Sequence, residues 1–527
     1  MPSQAPAPAP TLTSHFTSNL PPSYHQQYAY EEEEYENSEQ LHSGYIEHSL
    51  NHSVVPFITT HQSGLVKHYL DHVLQRQYLL ADSSIAEFII RTVQQNPAVR
   101  DAVCLLASLH QESLRRGNSS TGQQNELVLH DEPSSDSNKA YKRICENLYT
   151  SAQGGYTEGE AMAGLFVVSA FLFRGGHGAW QHFLAVAADW VWNVLHTGVD
   201  PAETILRCSD SQQFVIKTTF WFDILASTTR LEPPRFIAVY RKLWQRGAYI
   251  EGATSRGGVG GGHPQQQQPS SPLSLMSVMG CENETALAIA ETSALACWKV
   301  AQERQGKLSV PDLVDRGRII EQECLSRVLP ASMSMQQPQQ QQQPVPPGGV
   351  LYPAGGGGIP DDLSAKRRLT ADIFRSTARV YLHSVISGEH PGCPEIRDGV
   401  RETIECLRRV PAGGSSQRHG HGSVARSVLR SVVFGICLCG CLADDPEDRE
   451  FLLRRLDAEE QAEGVGNCAS ARLVMQEVWR RRAPCVGGGS GSGGGECAES
   501  SSSATLPPPL SWREATQQFG GESLLLV

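Results

Sequence analysis

Apolar side chains recur every three or four residues through most of this chain, which is the spacing of one face of an α-helix. The first such stripe follows Gly64 and comprises Leu65, Val66, Tyr69, Leu70, Val73, Leu74 and Tyr78. The clearest stripe comprises Trp180, Phe183, Leu184, Ala187, Trp190, Val191, Val194 and Leu195. No stretch shows the regular period-two alternation of a half-buried strand. The pattern therefore predicts an all-α fold, a large multi-helix domain of packed antiparallel helices.

Helix start signals support this interpretation. A capping side chain followed by proline or acidic residues marks an N-terminus, because the first backbone N–H groups need partners. The signals are Asn96-Pro97, the capping boxes Thr157-x-x-Glu160 and Ser511-x-x-Glu514, and Asp445-Pro446-Glu447-Asp448. A helix carrying Trp221 and Phe222 is expected to stop at Pro233-Pro234. Further helices are predicted at about 284–304, 311–329, 371–387, 394–409, 424–442, 446–460 and 468–482.

Composition divides the chain into a tail and a helical domain. Residues 1–60 are rich in Pro, Gln, Ser and His and predict a disordered tail. Its acidic segment, Tyr28 to Glu36, is either an activation segment that folds on a coactivator or a solubilising tail. The helical domain is expected at 61–527. Long disordered insertions are predicted as Gly-, Ser-, Gln- or Pro-rich spacers at 117–138, 252–275, 331–362, 411–422 and 485–510.

Charge and hydropathy exclude several classes of protein. The 527 residues carry a net charge of -12, which argues against binding nucleic acid over a broad surface, since phosphate neutralisation needs a basic stripe. The N-terminus lacks the apolar segment of a signal peptide, and the longest apolar run, Ala161 to Phe173, is too short to cross a bilayer. We therefore expect a soluble intracellular protein without a membrane partner, whose 14 cysteines are reduced thiols.

The candidate chemical motifs have structural explanations. In Cys437-x-Cys439-x-Cys441 the middle side chain would point away from the other two on a helix, which favours buried core over a metal site. His419 and His421 lie in a Gly/Ser-rich loop. The glycine tracts at 257–262 and 355–358 lack the Gly-Lys-Ser/Thr of a phosphate loop. We therefore assign no catalytic, cofactor-binding or metal-ligating residue, and we do not expect an enzyme.

Charged residues within apolar surroundings raise a separate question. Asp223 lies inside Phe220 to Ser227, and a buried carboxylate needs a partner. That partner is expected to be a helix end, Arg230 or Arg235, in a structural role.

The short basic clusters are solvated helix faces or ends, or alternatively a nuclear import signal. They are Arg241-Lys242 with Arg246, Lys366-Arg367-Arg368, and Arg480-Arg481-Arg482.

A series of motifs in a fixed order carries a resemblance to a known family. The earlier ones are His68 to Leu74, Ala98 to Val103 with Ala107 to His110, Trp180 to Leu184, Phe220 to Ser227, and Gly280 to Glu284 with Trp298-Lys299. The later ones are Ile373 to Arg375 with Val380 to His383, Pro394 to Arg397 with Leu407 to Pro411, Gly466-Asn467 with Val478-Trp479, and Trp512 to Ala515. In these pieces, over roughly 60–527, the chain resembles the fungal-specific transcription factor domain. That domain is the helical regulatory half of fungal binuclear zinc-cluster transcription factors.

This resemblance implies a nuclear transcriptional regulator whose helical domain senses a metabolite or a partner. The implied partners are transcription machinery or coactivators, and a homodimer is compatible with it. The family's zinc cluster is missing, since no cysteine precedes Cys104. DNA is therefore expected to be reached only indirectly or through a missing zinc cluster. Zinc is expected only if a cluster is encoded upstream, and no other cofactor is expected.

Three explanations of the missing cluster stay open: a truncated product, an incomplete gene model, or a member that acts through partners. We also expect Phe220 to Ser227 and the Trp512 segment to be core scaffolding rather than catalytic residues. The alternative function is a non-transcriptional scaffold whose helical pairs form a groove for a protein partner. A third hypothesis, an all-α enzyme with a dispersed active site, has no supporting constellation of residues.

Overall fold

Helices follow one another along the chain, and no strand occurs among the residues that the structure describes. The structure is a computed structural model. It describes residues 59–82, 84–119, 135–152, 154–198, 200–244, 273–326, 362–411, 427–482, 511–518 and 524–527. The predicted all-α fold is confirmed. Most of the predicted tail and spacers lie outside the described residues, as do Tyr28 to Glu36, both glycine tracts, His419 and His421.

The bounds of the helices are as follows. The N-terminal part contains α1 (Thr60–His68), a π-helical turn (Tyr69–Val73), α2 (Leu74–Gln77), α3 (Ser84–Gln95), α4 (Pro97–Ser119), α5 (Ser135–Ser151), α6 (Glu158–Phe173), α7 (Trp180–Leu195), α8 (Pro201–Arg207), α9 (Asp210–Arg230) and α10 (Ile237–Trp244). The C-terminal part contains α11 (Met276–Met279), α12 (Asn283–Arg304), α13 (Val310–Ile320), a π-helical turn (Glu321–Leu325), α14 (Asp362–Ile386), α15 (Pro394–Arg408), a 3₁₀ turn (Val428–Val432), α16 (Val433–Leu442), α17 (Pro446–Glu463), α18 (Cys468–Arg482) and α19 (Trp512–Gln518).

The start signals in the sequence produce the expected caps. Thr157 and Glu160 form the complete capping box of α6, in which each side chain bonds the backbone N–H of the other residue. The Asp445 side chain accepts from Glu447 N–H at the start of α17. α9 ends at Arg230, three residues before Pro233, and its C-cap residue Leu231 has a φ of 54°. Local hydrogen-bonding chemistry thus sets these helix ends.

Two helices differ from the predicted periodicity. The first stripe predicts one regular helix, but a π-helical turn separates α1 from α2. The helix predicted at 424–442 begins with the 3₁₀ turn before α16. The capping box at Ser511 is half formed: Glu514 accepts from Ser511 N–H, while Ser511 Oγ accepts from Arg513 N–H.

A succession of buried helices forms the core. α4 packs on α6, α6 on α9, α9 on α12, α12 on α14, α14 on α16, and α16 on α18. α16 is buried along its whole length, and α6 along most of it. All described residues belong to one unit, Phe57–Val527. None of the helices in the described ranges combines the length and the apolar character that crossing a bilayer requires.

Residues far apart in sequence meet in this core. Arg367 on α14 donates to the carbonyl oxygens of Leu80 and Ser277. Arg513 on α19 donates to the carbonyl oxygen of Thr228, near the end of α9. These bonds therefore join α14 to the segment after α2 and α19 to the end of α9.

Candidate functional site

A cavity of about 80 Å³ lies where the early, middle and late helices meet. Its wall combines α2, the end of α6, α9, α11, the 3₁₀ turn and the α17–α18 connection. A volume of this size accommodates several water molecules or a small organic molecule, since one water needs roughly 10–15 Å³. The cavity brings together groups from segments up to several hundred residues apart, so we treat it as the candidate functional site.

Two arginines supply the charge at the cavity. Arg76 comes from α2, and Arg430 comes from the 3₁₀ turn. The Arg430 guanidinium carbon lies 5.2 Å from the centre of the Phe173 ring, a cation–π geometry that fixes its plane. No acidic side chain occurs among the described residues that line the cavity. The described lining residues therefore carry more basic than acidic side chains.

Gly466 allows Arg430 to take this position. Its φ is +127°, a conformation that favours glycine, and a Cβ there would lie 3.4 Å from Arg430 Nε. Gly466 N–H also donates to the carbonyl oxygen of Phe173, which joins the α17–α18 connection to the end of α6. This glycine thus lets two backbones and a guanidinium approach closely.

A hydrogen-bond network holds Gln77 at the cavity wall. Its Oε1 accepts from the Tyr69 hydroxyl at 2.6 Å, and its Nε2 donates to Ser169 Oγ at 2.9 Å. Nε2 also contacts the Tyr78 hydroxyl at 3.2 Å. Burial raises the pKa of both tyrosines, so their hydroxyls stay protonated. The π-helical turn, which contains Tyr69, therefore helps to fix Gln77 against α6.

The C-terminal residues close another side of the cavity. Asn467 Nδ2 donates to the carbonyl oxygen of Leu525 at 2.9 Å, and Leu525 N–H donates to the carbonyl oxygen of Gly176. Val527 lies in the cavity wall. The position of this terminal segment is thus coupled to the shape of the cavity.

Three histidines lie behind the arginines. His68 Nε2 and His110 Nδ1 are 2.9 Å apart, and the His68 and His72 ring centres are 4.9 Å apart. Burial, reinforced by Arg76 and the other cations, lowers the pKa of His110 to about 3. Burial also lowers the pKa of His68. The neutral imidazoles of His68 and His110 therefore avoid adding charge to a region that already holds two guanidinium groups.

Aromatic side chains from the predicted scaffold form part of the cavity wall. Phe220, Ser227 and Trp512 are buried, as the assignment to scaffolding requires. Trp221 and Phe222 additionally line the cavity. The sequence interpretation missed this second role, because neighbouring apolar residues on a buried helix give no sign of a void. The available signal was the polar series His68, His72 and Arg76, spaced by four residues within an apolar helix.

The interpretation of Asp223 as structural is confirmed, and the structure selects the helix-end partner. Its carboxylate accepts from Arg235 N–H at 3.0 Å, Phe236 N–H at 3.2 Å and the Tyr240 hydroxyl at 2.7 Å. These donors lie at the start of α10 or within it. The Arg230 side chain pairs with Glu232 instead. Burial raises the pKa of Asp223, while the three hydrogen bonds oppose that rise.

The cysteines of α16 are core residues, as predicted. Cys437, Cys439 and Cys441 are fully buried. Burial raises the pKa of Cys439 to about 12, which keeps this thiol protonated. Within the described ranges, no three side chains of His, Cys, Asp or Glu are grouped to hold a metal ion. The donors described there do not fit a zinc cluster.

Several arginines of the basic clusters make contacts within the described part of the chain. Arg367 bonds two carbonyl oxygens and Asp82. Arg480 and Arg481 pair with Glu477, and Arg482 donates to the Cys441 carbonyl oxygen. Ion pairing of this kind fits the structural interpretation of these arginines at a helix end.

Comparison with known proteins settles the family. The family model described as "Fungal specific transcription factor domain" matches residues 64–526. The chain belongs to this family. Like the cavity, the matched region of the fungal specific transcription factor domain extends from the first helices to the last residues. No solved structure matches the chain.

Several fungal relatives share parts of the domain. The "Trichothecene biosynthesis transcription regulator TRI10" of Trichoderma arundinaceum is 24% identical over 40% of this chain and 40% of its own length. The "ustiloxin B cluster transcription factor ustR" of Aspergillus flavus is 23% identical over 49% and 36%. The "Transcription factor dibT" of Pestalotiopsis microspora is 27% identical over 42% and 32%. The aligned part of the chain thus spans less than half the length of these relatives.

Proposed function

We propose that this chain is the regulatory part of a fungal transcriptional regulator, and that its central cavity binds the effector. The observation that carries the proposal is the family match over residues 64–526, which includes every described lining residue of the cavity except Val527. The names of two relatives refer to trichothecene biosynthesis and to the ustiloxin B cluster. These names support genes of a biosynthetic cluster as the class of target.

The geometry suggests how an effector changes the domain. A molecule in the cavity contacts elements from both ends of the domain, including Arg76, Arg430 and Val527. It therefore favours the conformation in which these elements lie together. A ligand shifts such an equilibrium only by its difference in affinity for the two states. An effector in this cavity therefore stabilises the state in which the C-terminal segment, including Val527, is attached to the domain.

We further infer that the chain acts in the nucleus, where it regulates transcription rather than catalysing a reaction. Coactivators or transcription machinery are its proposed partners, and DNA is reached through a partner or a zinc cluster supplied elsewhere. The transcription regulators among its relatives support this inference. The net charge of -12 supports an indirect route to DNA, because a polyanion repels this chain.

A tethering experiment tests the proposal. The full chain is fused to a heterologous DNA-binding domain in a fungal host carrying a reporter gene with the matching operator. Reporter transcription is expected to change relative to the DNA-binding domain alone. An unchanged reporter, with the fusion nuclear and bound at the operator, contradicts the proposal and favours the non-transcriptional scaffold.

A matched pair of variants shows whether the folded domain causes the effect. Trp512→Ala removes a fully buried ring of the core, whereas Arg207→Gln removes only one partner of an exposed ion pair on α8. The first variant is expected to abolish the change in transcription, and the second to preserve it. Equal effects of the two variants would mean that the folded domain is not responsible.

A further inference from the structure

We infer that a second cleft, beside the central cavity, captures an aromatic aldehyde covalently through the amine of Lys217. This cleft, which we call the lysine cleft, has a volume of about 640 Å³ and lies between α3, the start of α9 and α11. Ligand sites in proteins typically measure about 300–1,000 Å³, so a small organic molecule fits. The described linings of the two cavities have one residue in common, Val278.

Lys217 is the amine in the lining of this cleft. Its side chain is half-buried, yet no hydrogen bond or ion pair joins its ammonium group to another residue in the part of the chain that the structure describes. A partly buried lysine is ordinarily paired, because burial of the charged form costs free energy. The Lys217 amine thus serves no internal contact and is available to a ligand.

The surroundings of Lys217 favour its reactive form. Burial lowers the pKa of the ammonium group, and the nearby charge of Asp210 opposes that change. The neutral amine is the nucleophile, so a lowered pKa increases the reactive fraction at neutral pH. The other titratable or charged groups in the described lining are Asp82, Glu87, Arg91 and Cys208.

Aromatic rings form the apolar part of the lysine cleft. The Phe88 and Phe214 ring centres are 4.9 Å apart, with the ring planes at 55° to each other. Phe214 also packs edge-on against Tyr78, which fixes its orientation. A ligand ring can join such a group in the tilted or edge-on geometry that aromatic pairs prefer. This wall therefore favours an aromatic aldehyde over a short aliphatic one.

Arg367 on α14 holds two sides of the cleft together. It donates to Asp82 Oδ1 at 3.0 Å and to the carbonyl oxygen of Ser277 at 2.6 Å, and both of these residues line the cleft. The walls are thus joined before a ligand arrives, which reduces the entropy lost on binding.

The capture step is the formation of an imine, which needs no other reactant. The lysine nitrogen attacks the carbonyl carbon and forms the C–N bond, while one nitrogen proton moves to the carbonyl oxygen and gives a carbinolamine. The carbinolamine loses its hydroxyl group together with a second nitrogen proton as water, and the C=N bond forms. Nothing is oxidised or reduced, and addition of water reverses the capture.

Reductive trapping on the purified full chain tests the site. The probe is benzaldehyde, and sodium cyanoborohydride delivers hydride to the imine carbon to give a stable benzylamine. Mass spectrometry of proteolytic peptides measures the benzylated fraction of each lysine. Lys217 is expected to be labelled at least about tenfold more than Lys142, an exposed lysine of α5. Equal labelling of the two lysines would overturn the inference.

A second aldehyde tests the aromatic specificity. Propanal replaces benzaldehyde at the same concentration, and labelling of Lys217 is divided by labelling of Lys142 for each aldehyde. The ratio is expected to be about threefold or more higher for benzaldehyde, because propanal makes no ring contact with Phe88 and Phe214. Equal ratios would contradict the aromatic class of ligand.

A variant that fills the cleft locates the capture. Ser84→Trp adds an indole ring at an exposed lining position and keeps Lys217. Labelling of Lys217 should fall at least about fivefold, because the ring obstructs the aldehyde, while labelling of Lys142 stays the same. The matched control Lys142→Gln, which removes an exposed lysine, should preserve labelling of Lys217. Undiminished labelling of Lys217 in folded Ser84→Trp contradicts the assignment to this cleft.

A competition measurement on the unmodified chain gives the same information without a substitution. Benzyl alcohol has the ring of the probe but no carbonyl group, so it occupies the cleft without forming an imine. An excess should reduce benzaldehyde labelling at Lys217 and leave labelling at Lys142 unchanged. An equal effect on both lysines, or none on Lys217, would refute capture in the cleft.

This inference is independent of an effector in the central cavity. Trapping is measured on the isolated chain, whereas transcriptional control is measured with the tethered fusion. A reporter effect without selective trapping removes the lysine cleft and leaves the proposed function intact. Selective trapping without a reporter effect has the opposite meaning.

Discussion

At the scale of single residues, the buried polar groups connect secondary-structure elements. Asp223 on α9 caps the start of α10 through two backbone N–H groups and bonds the Tyr240 hydroxyl. Such a carboxylate stabilises the fold because its removal leaves the Phe236 N–H and the Tyr240 hydroxyl, which belong to buried residues, without this acceptor. Its apolar neighbours made a helix end one of its expected partners, but the choice of these particular donors, 12 or more residues ahead, was not predictable.

Asp223→Ala is expected to destabilise the chain by about 2–4 kcal/mol, since three donors lose their acceptor. Asp223→Asn keeps one acceptor oxygen and should cost about half as much. Chemical denaturation followed by far-UV circular dichroism measures both values. Glu232→Ala, which removes an exposed partner of Arg230, serves as the control and should change stability by less than about 0.5 kcal/mol. An Asp223→Ala variant with an unchanged free energy of unfolding would contradict the capping role.

The lowered pKa of His110 predicts that the folded chain loses stability at mildly acidic pH. Its folded-state pKa of about 3 lies below the value of 6.5 expected in the unfolded chain. The unfolded chain therefore binds the proton more readily, and the stability present above pH 6.5 falls as the pH decreases toward 3. Between pH 7 and pH 5 we expect a loss of about 1–2 kcal/mol from this group.

The substitution His110→Gln should flatten the pH dependence of the free energy of unfolding between pH 7 and pH 5. Arg76, Arg430, His68 and His72 surround this group and stay in place in the variant. His390→Gln alters an exposed histidine and should leave the slope unchanged. An unchanged slope in His110→Gln would show that this imidazole does not resist protonation.

At the scale of elements, local sequence explains the helices better than it explains their interruptions. The caps at Thr157 and Asp445 involve residues within three positions of each other, so they are readable from sequence. The π-helical turn at Tyr69–Val73 contains the buried Tyr69, whose hydroxyl donates to Gln77 on the helix that follows, and the apolar spacing does not encode this turn. The cavity was unpredictable for a related reason: its wall comes from separate elements, and none of them alone encodes a void.

The attachment of α19 depends on one carboxylate. Glu389 accepts from Ser511 Oγ at 2.7 Å and Trp512 N–H at 2.9 Å, and it lies near the guanidinium groups of Arg482 and Arg513. It thereby acts as an N-terminal cap supplied from another part of the chain. The ring of Trp512 is buried against Tyr381 and Phe434. The short helix is therefore held by both polar and apolar contacts.

Glu389→Gln is expected to loosen α19 without unfolding the rest of the domain. Amide hydrogen exchange in residues 511–518 should accelerate about tenfold or more, because charge-assisted bonds are lost. Mass spectrometry of proteolytic fragments resolves this segment from α6 and α9. Glu203→Gln, in an exposed ion pair with Arg207, provides the comparison. Uniform acceleration across all helices, or none in α19, would refute the local role of Glu389.

At the scale of the whole molecule, charge predicts how the chain meets DNA. A net charge of -12 and the engagement of Arg367 and Arg482 in internal contacts leave little electrostatic attraction for phosphates. Fluorescence anisotropy at about 0.15 M salt should show no saturable binding of a random DNA duplex below about 10 µM protein. Submicromolar binding would contradict this prediction. A fusion carrying a zinc-cluster DNA-binding domain provides the positive control.

The contact between Arg367 and Leu80 has a consequence for the synthesis of the protein on the ribosome. These residues are 287 positions apart, and a ribosome adding about 5–20 residues per second needs roughly 15–60 s to connect them. Until then the apolar face that later receives α14 has no covering. Nascent chains of this protein should therefore be long-lived clients of ribosome-associated chaperones.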